Sequence, residues 1–170
     1  VGAVKVAGNY AADLLPNTLS KQKGFPIGLY LDAKTQTTVE EFSTSNFVGI
    51  NNEKGLFVTP SSPSVLPSIT NKSLMKIAED EGMTVEQRDI PLDELDTFDE
   101  VLAVGTAVVV TPVGSATRLS NEDGEDGIRK YNFGEGDGIG ATTMKLYEKV
   151  RAIQSGEEED KHGWNHEVKY

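Results

Sequence analysis

Lys5 stands five positions ahead of Tyr10, and the small run Val6-Ala7-Gly8 lies between them. Burial readily shifts a lysine's pKa and exposes a nucleophilic amine, so such a lysine suits Schiff-base chemistry on a planar ring. The nearby phenol could then reach a hydroxyl on that ring. A surface lysine ahead of a helix has the same spacing, because lysines are almost always exposed. A second candidate is Ser68-Ile69-Thr70, which leads into a helical pattern. The free N–H groups and positive dipole end of a helix N-terminus attract anions such as phosphate. Capping alone would also explain Thr70, and one threonine can do both.

The elements that must hold these residues alternate in type. Tyr10 to about Lys21 has apolar residues at helical spacing, with Pro16 predicting a kink near Asn17. Ile27–Asp32 reads as a strand. Phe47–Ile50 and Gly55–Val58 read as a hairpin turning through Asn51–Gly55. Pro60–Pro67 reads as a loop. Thr70 is the expected N-cap of a helix over about 71–81, closed by Gly82. Thr84–Asp89 is an expected strand and Leu92–Leu95 a short helical turn. Val101–Val104 and Val108–Val113 are β-branched apolar runs that predict buried strands. Asn121–Gly140, rich in glycine and acid, predicts a long turn region, and a last helix runs over about 141–153. The expected class is α+β, one domain of mixed strands with helices packed against them.

The 170 residues suffice for one domain with a full core, and 37% hydrophobic and 25% charged content is ordinary for a globular protein. A formal charge of −11 argues against nucleic acid and against anionic membrane surfaces as partners. With no cysteine, the chain has no disulfide, thiolate catalysis or cysteine-based zinc site. No apolar run approaches a membrane span, and no signal peptide opens the chain.

Several stretches together resemble the branched-chain amino-acid aminotransferases, within the fold-type IV pyridoxal-phosphate enzymes. They run in the family's order: 2–11 around Lys5, Leu29–Asp32, Val39-Glu40-Glu41 with Ser45-Asn46-Phe47, and Thr59-Pro60 with Leu66–Thr70. Asp99–Val101, Gly105-Thr106-Ala107 and Thr111-Pro112-Val113 follow, and the tail at 153–156 and 159–164 is similar to the branched-chain branch. The resemblance implies the cofactor-binding C-terminal domain, a mixed β-sheet or barrel-like large domain. A smaller N-terminal domain, on the order of a hundred residues or more, would be absent ahead of Lys5. In relatives that domain supplies an arginine for the phosphate and part of the side-chain pocket.

The resemblance further implies transamination of leucine, isoleucine or valine with 2-oxoglutarate on pyridoxal 5'-phosphate. Lys5 would be the Schiff-base lysine and later the general base, and Tyr10 the donor to the ring hydroxyl. Glu40 and Glu41 should point to opposite faces of a strand. The resemblance implies that Glu41, five before Asn46 at the position the family uses, partners the ring nitrogen, leaving Glu40 solvated. Ser68, Ile69, Thr70 and Thr106 would cradle the phosphate, while Thr44 and Ala107 would lie near the substrate. A homodimer in the cytoplasm is implied, with an organelle open because a leader could precede the chain. A sibling activity remains an alternative, either a D-amino-acid aminotransferase or an aminodeoxychorismate lyase. So does an inactive cofactor-binding fragment.

The sequence departs from the family where Ser68 and Asn71 replace glycine and arginine. Val108 and Thr111 stand where mammalian relatives carry a cysteine pair. Four other features read as bland. The run 134–140 has acids that repel phosphate, so it is no nucleotide loop. The run 121–127 lacks a full calcium-loop pattern. His162 and His166 are separated by Gly163, which argues against a helical metal pair. The sequon Asn71-Lys72-Ser73 falls on an expected helix.

Overall fold

The computed structural model describes residues 3–119, 128–134 and 139–169. Helix α1 (Ala7–Gln22) precedes four strands, β1 (Leu29–Leu31), β2 (Thr38–Phe42), β3 (Ser45–Asn51) and β4 (Leu56–Pro60). Helix α2 (Ile69–Asp80) leads to β5 (Thr84–Arg88), β6 (Ile90–Pro91) and a 3-10 turn over Leu92–Thr97. Strands β7 (Glu100–Gly105), β8 (Val109–Pro112), β9 (Ser115–Leu119) and β10 (Ile128–Asn132) follow, and α3 (Ala141–Ser155) ends the regular structure.

Eight strands form one sheet around β3, which pairs antiparallel with β2, β4 and β7. Among the described residues only β4 and β5 run parallel, joined by α2 as a crossover. Strands β9 and β10 form a separate antiparallel pair. The expected α+β class therefore holds. Among the described residues no strand pairing closes the sheet into a ring.

Strands β3, β4 and β7 are buried over nearly their whole length because both of their faces are covered. Phe47, Val58, Val101 and Ala103 pack into one cluster with Phe42, Ile90, Leu95 and Phe98. Val48, Ile50, Phe57, Leu102 and Val104 face the other way, against Leu74 and Ile77 of α2 and Leu146 and Val150 of α3. A strand buried on both faces reads as a continuous apolar run. At Gly49 the chain needs a missing side chain, since a Cβ there would lie 2.7 Å from the Phe98 ring.

Helix α3 begins at Gly140 without a side-chain cap of its own. Glu100 of β7, only 2% exposed, takes that role. Its carboxylate accepts from the amides of Thr142 (3.2 Å) and Thr143 (2.7 Å), the Thr143 hydroxyl, and Asn52 Nδ2 (3.0 Å). Burial pushes its pKa up, but these hydrogen bonds outweigh that and hold it below the usual carboxylate value. A Cβ on Gly140 would fall 1.9 Å from the Glu100 carboxyl carbon, so the close approach requires glycine.

Several expectations shift. Helix α1 starts three residues earlier than expected and, as expected, extends past Pro16, to Gln22. Ser68, not Thr70, is the N-cap of α2, and its Oγ accepts from the Asn71 amide at 3.1 Å. Val108 is 62% exposed and stands outside β8. The long turn expected over 121–140 contains β10, which buries Tyr131 and, just past it, Phe133. Those two aromatics alternate, but the surrounding glycines and acids dilute the period. Residues 121–127 and 135–138, where the calcium-loop and glycine-loop patterns fall, lie outside the described residues. Among the described residues no helix is long and apolar enough to cross a membrane.

Candidate active site

A cleft of about 930 Å³ opens between the start of α1, the β2–β3 turn, the loop before α2 and the β7–β8 turn. Lys5, Tyr10, Glu41, Thr44, Ser68, Ile69, Thr106 and Ala107 all line it. Of the residues singled out from the sequence, Thr70 alone is not on its wall. Among the described lining residues Lys5 is the only cation, and it faces Asp13, Glu40 and Glu41 as acids.

Lys5 sits in an exposed segment just before α1. Asn9 Nδ2 donates to the Val4 carbonyl at 3.0 Å, which ties that segment back to the helix. Tyr10 is 49% exposed. Helix α1 buries no residue, and the Tyr30 hydroxyl, donating to Asp13, joins it to β1.

Strand β2 does not alternate where the glutamates stand. Leu29 opposes Phe42 while Leu31 opposes Val39, so Glu40 and Glu41 together oppose Tyr30 alone. This is a β-bulge, two residues against one, and it turns both carboxylates toward the cleft. Glu40 is therefore not a solvated outer face. Its Oε1 accepts from the Ser62 hydroxyl at 2.7 Å.

Glu41 Oε2 accepts from the Leu66 amide (3.3 Å) and from Asn46 Nδ2 (3.2 Å). Asn46 Nδ2 also reaches the Leu66 carbonyl at 2.9 Å. Burial raises the Glu41 pKa above 4.5; the Leu66 amide opposes this and the Glu40 charge adds to it. Among the described residues no cation forms an ion pair with this half-buried carboxylate.

At the start of α2, Ser68 takes the amides of Asn71 and Lys72, and those of Ile69 and Thr70 make no hydrogen bond among the described residues. Asn71 points away from the cleft and into the sheet. It is 8% exposed, and its Nδ2 donates to the Thr59 hydroxyl at 2.9 Å. The same burial leaves the sequon asparagine inaccessible. Across the cleft, Val109 has φ +68, a left-handed conformation rare for a β-branched residue, directly after the exposed turn at Thr106–Val108.

His162 stacks on Trp164 and its Nε2 contacts Asp80 at 3.0 Å, outside any helix. Among the described residues no cluster of His, Asp and Glu could hold a metal. The residues that sequence reasoning underrated are Glu40, Asn46 and Glu100. Only the fixed spacing of Asn46 behind Glu41 was a signal for any of them.

A mixed sheet thus presents a crossover helix to a cleft that bears a lysine, a tyrosine and two adjacent carboxylates. The family model for amino-transferase class IV matches residues 3–116, and the chain belongs to that family. It is 42% identical over 170 residues to the aminotransferase atnJ of Emericella nidulans, covering 96% of this chain and 47% of that one. It is 40% identical over 168 residues to a branched-chain-amino-acid aminotransferase of Helicobacter pylori, covering 98% and 46%. Its fold is similar, with TM-score 0.76 and 27% identity, to a T.th. branched-chain amino acid aminotransferase complexed with N-(5'-phosphopyridoxyl)-L-glutamate. That match covers 96% of this chain and 49% of the other. The chain thus spans about half the length of the curated relatives it matches.

Proposed function

We propose that this chain carries the pyridoxal-phosphate site of an enzyme that transfers amino groups from leucine, isoleucine or valine to 2-oxoglutarate. The observation that carries the reading is convergence. Lys5, Tyr10, Glu41, Thr106 and, at the start of α2, Ser68 and Ile69, spread over a hundred residues of sequence, line one cleft. Branched-chain names among the relatives support the substrate class, and a phosphopyridoxyl-glutamate adduct in a similar fold supports the cofactor and the second substrate.

The residues present suit that cofactor. Glu41 is a half-buried carboxylate raised by burial, and a protonated pyridine nitrogen beside it would supply the missing cation. The amides of Ile69 and Thr70 would receive the phosphate, with the Thr106 hydroxyl opposite. Tyr10 would donate to the ring's hydroxyl oxygen. Lys5 Nζ would condense with the cofactor's aldehyde carbon, its oxygen leaving as water, and, once displaced by the substrate amine, would move the proton between the substrate α-carbon and C4′. Thr44 and Ala107 would meet the substrate. Bound there, the ring acts as the electron sink for charge developing at the α-carbon. The intact protein would work as a homodimer.

One observation favours a second reading, a cofactor-binding module without turnover. Lys5 and Tyr10 are presented by a segment and helix that bury no residue against the rest of the chain. The test is to mix the chain with pyridoxal phosphate, reduce with borohydride and map the adduct by peptide mass. One pyridoxyl group on Lys5 is expected, absent in Lys5→Ala. Labelling scattered over surface lysines, or none, would overturn the cofactor assignment. Amino transfer measured on the same sample separates the two readings.

A further inference from the structure

The loop at 61–68 connects β4 to the α2 N-terminus, and β2 grips it at two points. At its start, the Ser62 hydroxyl donates to Glu40 Oε1 at 2.7 Å and accepts from the Ser64 amide at 3.1 Å. The Val65 amide returns to the Ser62 carbonyl at 3.2 Å, closing a turn with Pro63 in its second position. At its end, Leu66 is held through both backbone groups, its amide by Glu41 and its carbonyl by Asn46. Ser68, the α2 cap, is two residues on. The bulge makes this possible, since on a regular strand only one of the adjacent carboxylates could face the loop.

We propose that Glu40 is a positioning residue: through Ser62 it fixes the loop so that the Ile69 and Thr70 amides stand where the cofactor's phosphate must sit. This rests on the pyridoxal-phosphate reading above and assigns Glu40 no contact with the cofactor. Glu40 holds the β4 end of the loop through Ser62, while Glu41 holds its α2 end through the Leu66 amide and, on the reading above, also faces the ring nitrogen.

The distinguishing probe is pyridoxal, which has the ring and aldehyde but no phosphate. Dissociation constants for pyridoxal phosphate and pyridoxal are measured by absorbance titration of the 170-residue chain and its variants. Glu40→Ala and Ser62→Ala are each expected to weaken pyridoxal phosphate roughly tenfold, the scale of one lost charge-assisted hydrogen bond. Pyridoxal binding should be unchanged. Glu40→Gln keeps an acceptor oxygen for Ser62 and should restore most of the loss. The double variant should be no worse than either single one, because both remove the same contact. Parallel melting curves establish that each variant folds, and Ser62→Ala, in a surface loop, stands in if Glu40→Ala does not.

An unchanged affinity ratio between the two ligands, or equal weakening of both, would overturn the inference while leaving the cofactor site intact. Failure of the unsubstituted chain to bind either ligand would instead overturn the cofactor reading, and this inference with it.

Discussion

Glu41 is a carboxylate whose folded environment works against its charge. Burial raises its pKa above 4.5, the Leu66 amide offsets part of that, and Glu40 repels it further. Above the unfolded value, the unfolded chain has released a proton that the native chain still holds. The side chain's contribution to stability is thus favourable at low pH and is lost as pH rises through the folded value. Glu41→Gln keeps an oxygen for Leu66 and Asn46 and removes the charge. Without cofactor the variant should melt higher than the unsubstituted chain at pH 7, and the gap should close below about pH 4. With saturating pyridoxal phosphate the order should reverse, because only the carboxylate can pair with a protonated ring nitrogen. A variant that melts lower at pH 7 without cofactor would contradict the strain described here. Stability given up at a site in exchange for ligand affinity is a common trade.

Neighbouring residues of β8 offer a controlled test of backbone strain beside the cleft. Val109 and Val110 are 5% and 6% exposed and belong to the same apolar cluster. Only Val109 has a positive φ, at +68. Val110→Gly should cost on the order of 3 kcal/mol, from lost burial and added backbone freedom. Val109→Gly loses similar burial but relieves a conformation worth about 1–3 kcal/mol of strain, so it should cost correspondingly less. Chemical denaturation of the pair measures the difference. Equal costs would mean that the turn at Thr106–Val108 is held without strain. A tense turn there keeps the exposed Thr106 and Ala107 in one arrangement, which a site for a carboxylate or phosphate requires.

The molecule divides energetically into a sheet-and-helix body and α1. The body has apolar clusters on both faces of the sheet, whereas α1 buries nothing and leaves Leu14, Leu15 and Leu19 at 69%, 66% and 49% exposure. Leu14→Gln and Leu15→Gln should therefore shift the melting temperature by no more than about 2 °C, the range of surface substitutions. Leu146→Ala, at 1% exposure in α3, should cost about 2–5 kcal/mol and lower the melting temperature well beyond that. A large effect at Leu14 or Leu15 would show that α1 is packed in solution, for instance against a second copy. Either result bears on the proposed site, because Lys5 lies just ahead of this helix and Tyr10 within it.

Local patterning was enough to locate most elements and most of the cleft. Continuous β-branched runs marked β7 and β8 and an apolar stripe marked α3, while Lys5, Tyr10 and Glu41 were singled out by short motifs that resemble a known family. Each of those signals depends on residues close together in the chain. What stayed hidden depends on distant partners. The bulge that brings Glu40 beside Glu41 exists only through the register of β1 against β2. The direction of Asn71 is set by Thr59 across the sheet. The cap of α3 comes from Glu100, 43 residues ahead of Thr143, and demands glycine at 140 because its carboxylate meets the backbone there. A residue type and its spacing determine which chemistry is available, while pairing between remote strands determines which way each side chain faces.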